Sequence, residues 1–248
     1  MERKQSRCRM TDPFAVMILT RPGAANAGFL AEFAPWPTGL DIVTSPLLEI
    51  VPTGVPVDLA NIGTVIFTSQ NGVLLGGPAG QMPVVCVGEA TADTARQVGW
   101  NATCLAETSK ELVQTLIESR PKIPMLHIGG VHRRGQVAQK LTQAGLETRE
   151  VDVYDQQLLS LTPDAQTALQ REVPKIVPLF SPRTARQFAQ QVGLRSAVHY
   201  IAISDTVLAE VAHLPAASRH VARVANAHSL AETLRNVLHR LETGDIPQ

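Results

Sequence analysis

At 248 residues the chain exceeds one ordinary domain of about 100–200 residues, and its 22 Lys and Arg balance its 22 Asp and Glu. A formally neutral chain has no general electrostatic pull on nucleic acid or an anionic membrane, so an anionic ligand has to be held by local groups. Cys8, Cys86 and Cys104 are odd in number and lack metal-ligand spacing, which argues against a zinc site or disulfide framework and for a reducing compartment.

The basic start MERKQSRCRMTDP shows no cleavable signal pattern, and 1–14 reads as a disordered extension. No apolar run approaches the roughly 20 residues of a membrane span, so the expected location is the cytoplasm. Short β-branched strands then alternate with helical stretches. In order the strands are VMILT from Val16, LDIVTSPLLEIV from Leu40, TVIFT from Thr64, PVVCVG from Pro83, NATCL from Asn101, PMLHIG from Pro124, ETREVDVY from Glu147, KIVPLF from Lys175, VHYIAIS from Val198 and RHVARVA from Arg219. SKELVQTLIES from Ser109 and SLAETLRNVLHRLE from Ser229 have clear helical periodicity, each opening on a Ser that can cap its first turn. Alternating strands and helices predict an α/β fold with parallel sheets covered on both faces. Cys86 sits in an apolar strand as a small core residue.

The chain also repeats itself. PVVCVGEATADTARQVG from Pro83 echoes AVHYIAISDTVLAEVAHL from Ala197, TVIFTSQNGV from Thr64 echoes KIVPLFSPRTARQF from Lys175, and VMILTRPGAANAGFL from Val16 echoes PMLHIGGVHRRGQVAQKL from Pro124. A period of about half the chain predicts two similar domains, and such pairs commonly bind a ligand. DIVTSPLLEIVPTG from Asp41 and REVDVYDQQLLS from Arg149 are long, extended and punctuated by proline in the first case. They fit a two-stranded connection between halves and ordinary sheet strands followed by loops equally well.

ILTRPG from Ile18, FTSQNGV from Phe67, VGEATA from Val87 and VDVYDQ from Val151, in this order and with this duplication, resemble the uroporphyrinogen-III synthase family over about Ala15 to Leu241. The resemblance implies two flavodoxin-like α/β domains joined by a two-stranded β-ladder. The first would comprise 15–46 and 158–248, the second 55–150, with 47–54 and 151–157 as the hinge strands. It implies cyclisation of hydroxymethylbilane, with inversion of ring D, to uroporphyrinogen III and water, by a monomer acting on a linear tetrapyrrole with no metal or other cofactor. Such chemistry asks chiefly for orientation, plus an acid for the departing hydroxide.

Tyr154, in VDVYDQ, matches the family's hinge tyrosine and is the expected catalytic acid; packing against a pyrrole or the hinge is the equally weighted alternative. The expected substrate contacts are Thr20, Arg21, Thr68, Ser69, Asn71, Gly72, Thr91, Ser181, Arg183, Ser204 and Thr206, all at turns from strand to helix, where open α/β sheets bind ligands. Helix N-terminal N–H groups and hydroxyls there can receive carboxylates, or the same side chains can serve only as caps. Arg134 matches a family arginine, whereas relatives often read Leu-Arg-Gly where this chain has Ile128, Gly129 and Gly130, which leaves the carboxylate contacts of that loop open. The histidines, including His127 and His132, form no metal pattern and read as surface or packing residues. A non-enzymatic two-domain binding protein is the competing class, and a divergent member acting on a related tetrapyrrole is the second enzymatic one.

Overall fold

The computed structural model describes residues 13–133, 135–193 and 198–245. The chain begins with β1 (Ala15–Leu19), α1 (Gly23–Glu32), β2 (Leu40–Thr44) and β3 (Leu48–Pro52). It continues through β4 (Thr64–Phe67), α2 (Gln70–Leu75), β5 (Val84–Val87), α3 (Glu89–Gln97), β6 (Ala102–Ala106), α4 (Ser109–Ser119), β7 (Met125–Gly130), α5 (Val137–Gln143) and β8 (Thr148–Leu158). The remainder is α6 (Pro163–Gln170), β9 (Lys175–Leu179), α7 (Pro182–Ala189), β10 (Val198–Ala202), α8 (Asp205–Ala209), β11 (Ala216–Val221) and α9 (Ala227–Thr243). One compact unit runs to Glu49 and resumes at Leu158; the other is Ile50–Gln157.

The first unit carries a five-stranded sheet in the order β11-β10-β9-β1-β2, every pair parallel. Its strands read as apolar runs because both faces are covered. Along β1, Val16 and Ile18 enter a core with Ala165, Phe188 and Val207, while Ala15, Met17 and Leu19 enter one with Phe29, Leu230 and Leu234. The second unit has the order β3-β8-β7-β4-β5-β6, with β8, β7, β4, β5 and β6 parallel to one another. Val65, Phe67, Leu126 and Ile128 pack toward α2 and α3, while Ile66 and Met125 pack toward α4 and α5. The α/β class and parallel sheets are those expected. Removing the added strand β3 leaves the same neighbour order in both units, that of a flavodoxin-like sheet.

Two local expectations change. Ser109 is the first residue of α4 rather than its cap: Thr108 accepts from the Glu111 amide while Glu111 reaches back, a capping box. Asn226 likewise caps α9 by accepting from the Ser229 amide at 2.8 Å, so that helix starts two residues earlier than Ser229. The extended stretch from Leu40 is two strands, since β2 ends at Thr44 and Pro46 separates it from β3. β8 is a single long strand of the six-stranded sheet. Its first part is a sheet strand beside β7, from Met125↔Thr148 to Gly130↔Tyr154, and β3 lies on its other side. As that partner advances from Leu47 to Thr53, its bonds move back from Leu159 to Val153, so the pairing is antiparallel. Cys86 is fully buried, and burial pushes its thiol up to about 12.

Candidate functional site

In a parallel sheet of this order, a crevice opens at the carboxyl ends of two adjacent strands whose onward connections leave in opposite directions. In the second unit those strands are β4, which leads to β5, and β7, which leads to β8. In the first they are β9, leading to β10, and β1, leading to β2.

At the β4 end, Ser69 is extended and caps α2, its Oγ accepting from the Gly72 amide at 3.1 Å. The same Oγ lies 3.1 Å from the Tyr154 hydroxyl. Tyr154 is 5% exposed, so the phenol is a packed side chain and a hydrogen-bonded one at once. Its ring has room because residue 130 is glycine: a Cβ there would lie 2.4 Å from Tyr154 Cε2. Gly72 is similarly constrained, since a Cβ would come within 2.9 Å of the Ile128 carbonyl oxygen. The chain Gly72 N–H, Ser69 hydroxyl, Tyr154 hydroxyl therefore starts at a helix N-terminus and ends on a phenol.

Thr68 turns the other way. Its Oγ1 is 3.1 Å from Nε2 of His127, which is 1% exposed, the packing rather than the surface alternative of its sequence reading. Parallel register places His127 beside Glu150 and Gly129 beside Asp152. His127 Nδ1 faces Glu150 Oε1 at 3.5 Å, an ion-pair distance longer than a hydrogen bond. Arg133 sits over Gly129, its Nε 2.9 Å from where a Cβ would be, and pairs with Glu150 at 2.7 Å and with Asp152. His127 and the Arg133 guanidinium hold the Glu150 carboxyl below its usual range. The Ile128-Gly129-Gly130 sequence is thus spatially explained: one glycine admits Arg133 and the other Tyr154. Arg133 is engaged by two carboxylates of its own chain.

In the first unit, Ser181 caps α7 by accepting from the Thr184 amide at 3.2 Å. The Arg21 guanidinium lies 4.2 Å from the centroid of the Phe180 ring, a cation–π contact, and burial lowers its pKa while Glu32 opposes. Thr20 is 1% exposed and its hydroxyl finds no hydrogen-bond partner among the described residues. Asn26 fixes this turn, its Nδ2 donating to the Arg21 carbonyl at 2.8 Å. α1 begins after Pro22 with no side-chain cap. Ser204 caps without a side-chain bond to an amide and is 2.9 Å from the Thr206 hydroxyl.

The expected contacts therefore divide by unit. Thr20, Arg21, Ser181, Arg183, Ser204 and Thr206 follow strands of the first; Thr68, Ser69, Asn71, Gly72 and Thr91 follow strands of the second, and Tyr154 lies within β8 opposite Gly130 at the end of β7. Ser69, Gly72 and Tyr154 are joined by hydrogen bonds, whereas Thr91 is buried in the first turn of α3. Gly88 caps that helix at φ 75°, a conformation suited to glycine. Arg134 lies outside the described residues. The sequence reading missed His127, Glu150, Arg133, Asp152 and Asn26. A signal existed for two: a lone His in a strand buried throughout needs partners, and Glu150 stands at the register position to supply one.

Among the described residues no group of three His, Cys, Asp or Glu could hold a metal ion, and no helix is long and apolar enough to cross a membrane.

A family model described as uroporphyrinogen-III synthase HemD matches residues 37–232. Among solved structures, the chain is similar to uroporphyrinogen-III synthetase from Helicobacter pylori, at 14% identity and TM-score 0.64 over 90% of this chain and 99% of that one. It is also similar to a mutant uroporphyrinogen III synthase from the extremely thermophilic bacterium Thermus thermophilus, at 14% identity and TM-score 0.51 over 91% and 99%. At such identity these structures speak for the fold. Among curated proteins no sequence matches. The family model spans most of the chain, and with it the chain belongs to the uroporphyrinogen-III synthase family, whose reaction is the cyclisation of hydroxymethylbilane in tetrapyrrole biosynthesis.

Proposed function

We propose that the strand-end edges of both units hold the bilane, and that Tyr154 serves the loss of its terminal hydroxyl. The observation that carries this reading is the Tyr154 hydroxyl 3.1 Å from Ser69 Oγ, which itself accepts from the Gly72 amide. An oxygen that already accepts from N–H can donate its own proton to the phenol oxygen, which leaves the phenolic O–H to donate to the substrate. As the C–O bond breaks, that proton makes the departing hydroxide into water, and the bilane becomes an azafulvenium cation beside the phenolate. Ring D attacks through its substituted carbon, the spiro intermediate opens and recloses with the ring inverted, and the proton released on rearomatisation restores the phenol. Most of the acceleration is orientation, which can reach about 7–11 kcal/mol. Thr20, Arg21, Ser181, Arg183, Ser204 and Thr206 in one unit, with Thr68, Asn71, Thr91 and Arg134 in the other, are the proposed carboxylate and pyrrole contacts. Arg21 presents a guanidinium for a bidentate carboxylate pair. The reading has the protein acting as a cytoplasmic monomer on a diffusible substrate, without nucleic acid, and the balanced charge supports the last of these.

Freshly made hydroxymethylbilane, incubated with the protein, oxidised and resolved by chromatography, is expected to give chiefly the type III porphyrin. Type I alone would overturn the reading. Tyr154→Phe is expected to lower kcat at least about tenfold without abolishing it; an unchanged kcat removes the acid role.

A further inference from the structure

His127 takes no part in the chemistry above, and the first unit builds the same sheet without a histidine at this place. The two sheets can be superposed through their registers: Met17↔Ile176 and Met17↔Ile42 in one unit correspond to Met125↔Thr64 and Met125↔Thr148 in the other. Counting on from these pairs, His127 stands where the first unit has Leu19, Thr68 where it has Phe180, and Glu150 where it has Thr44. Leu19 is fully buried and shares its apolar cluster with Phe180. The same strand ends thus carry a leucine, a phenylalanine and an exposed threonine in one copy and an imidazole, a hydroxyl and a carboxylate in the other. Burying an imidazole without need is unfavourable, and this one bonds the Thr68 hydroxyl and faces the Glu150 carboxylate.

We propose that His127 is a positioning residue for the cyclisation: it orients the Thr68 hydroxyl so that its oxygen faces outward as an acceptor for a pyrrole N–H of the bilane. This rests on the placement of Thr68 at the substrate-binding edge. Glu150 Oε1 lies 3.5 Å from Nδ1, too far for a hydrogen bond, and a carboxylate there favours an N–H over a lone pair at Nδ1. In the Nδ1–H tautomer Nε2 is an acceptor, and Thr68 commits its one proton to it at 3.1 Å. What remains on Thr68 Oγ1 is lone-pair capacity, which suits pyrrole N–H groups and disfavours carboxylates. Thr68 is half-buried, so that oxygen is within reach of the strand-end edge. Arg133, admitted by Gly129, holds Glu150 at 2.7 Å and keeps the carboxylate in place behind the ring.

A double-mutant cycle tests this, with kcat and KM measured alongside urea unfolding. Thr68→Val and His127→Leu, the latter copying what the other unit has at this place, are each expected to lower kcat/KM about tenfold, with the double variant within about twofold of Thr68→Val alone. Losses that multiply to about 100-fold would overturn the proposal, as would wild-type efficiency in either single variant. Should His127→Leu fail to fold, Glu150→Thr replaces it: a loss of about threefold in the wild-type background and none in Thr68→Val supports the proposal, and equal losses in both overturn it. Type III product from the wild type decides the reading of the reaction separately, whichever way the cycle comes out.

Discussion

Ser69 and Ser181 do the same work in the two units and then part company. Each follows the strand at the middle of its sheet, each is extended, and each accepts from the amide three residues on. Beyond the cap, Ser181 Oγ meets the neighbouring Thr184 hydroxyl at 2.8 Å, whereas Ser69 Oγ meets Tyr154 from a strand 85 positions away. The arginines differ in the same sense. Arg21 grows from the strand-end turn itself and lies over Phe180; at the matching place the second unit has Gly129, and Arg133 comes back to fill that space against Glu150 and Asp152. One duplicated frame therefore carries an edge with a half-buried guanidinium on an aromatic face and another with a polar network of Arg133, Glu150 and Asp152. The frame is set by strand order and caps. The chemistry is set by which side chains the glycines admit.

Gly130 offers the strongest way to break this difference. Pro22 stands at the corresponding place in the first unit, where no tyrosine crosses the strand end. In Gly130→Ala the new Cβ would lie 2.4 to 2.9 Å from three atoms of the Tyr154 ring, so the ring has to leave and the Ser69 bond goes with it. Overpacking of this kind costs about 1–3 kcal/mol. Urea unfolding is expected to show a loss in that range, and the turnover of the folded fraction is expected to fall at least as far as that of Tyr154→Phe. Full activity with Ala at 130 would mean that the phenol's position is unimportant.

Much of the frame was readable before the structure. β1 and β4 are continuous apolar runs because both faces of each are buried, and Ser69 and Ser181 announce helix starts through cap chemistry. The cap residues of α4 and α9 were misplaced because Thr108 and Ser109, or Asn226 and Ser229, are all competent caps, and only backbone conformation chooses between them. Glu150 and Asp152 look like solvated charges on an edge strand, and their side chains are indeed 40% and 46% exposed; their partnership with Arg133 depends on a loop returning over a glycine, which no periodicity encodes. Asn26 was hidden because an asparagine in a helical stretch gives no sign that it donates backward to the Arg21 carbonyl.

The serines themselves sharpen the comparison at smaller amplitude. Ser69→Ala and Ser181→Ala each remove one N-cap, worth about 1 kcal/mol, and the two variants are expected to lose similar stability. Their activities are expected to differ, with Ser69→Ala the slower in kcat because it alone also deprives Tyr154 of its partner. Equal kcat values would place the Ser69–Tyr154 bond among the structural contacts. Calorimetry and steady-state kinetics on the same preparations separate the two effects.

The smallest expected effect belongs to the first unit, away from its strand-end crevice. There His199 Nδ1 and His220 Nε2 both meet the Ser218 hydroxyl at 2.8 Å. Burial holds both imidazoles below their ordinary pKa, with His220, Arg240 and Lys175 adding repulsion at His199 and Arg240 at His220. The unfolded chain then binds protons that the folded one refuses. The stability tied to these rings is fully present above about pH 6.5, the ordinary histidine value, and is lost as pH falls through the lowered folded values. Unfolding midpoints in urea are expected to be lower at pH 5.5 than at pH 7.5, with part of that difference removed in a His199→Gln, His220→Gln variant. No such pair exists at Cys86 and Cys104 on the matching strands of the second unit, whose thiols are both raised in pKa by burial and stay protonated across this range. A pH dependence that survives unchanged in the doubly substituted protein would assign it elsewhere, and the carboxylate of Glu150, lowered by His127 and Arg133, is the group next in line, its contribution lost only at more acidic pH.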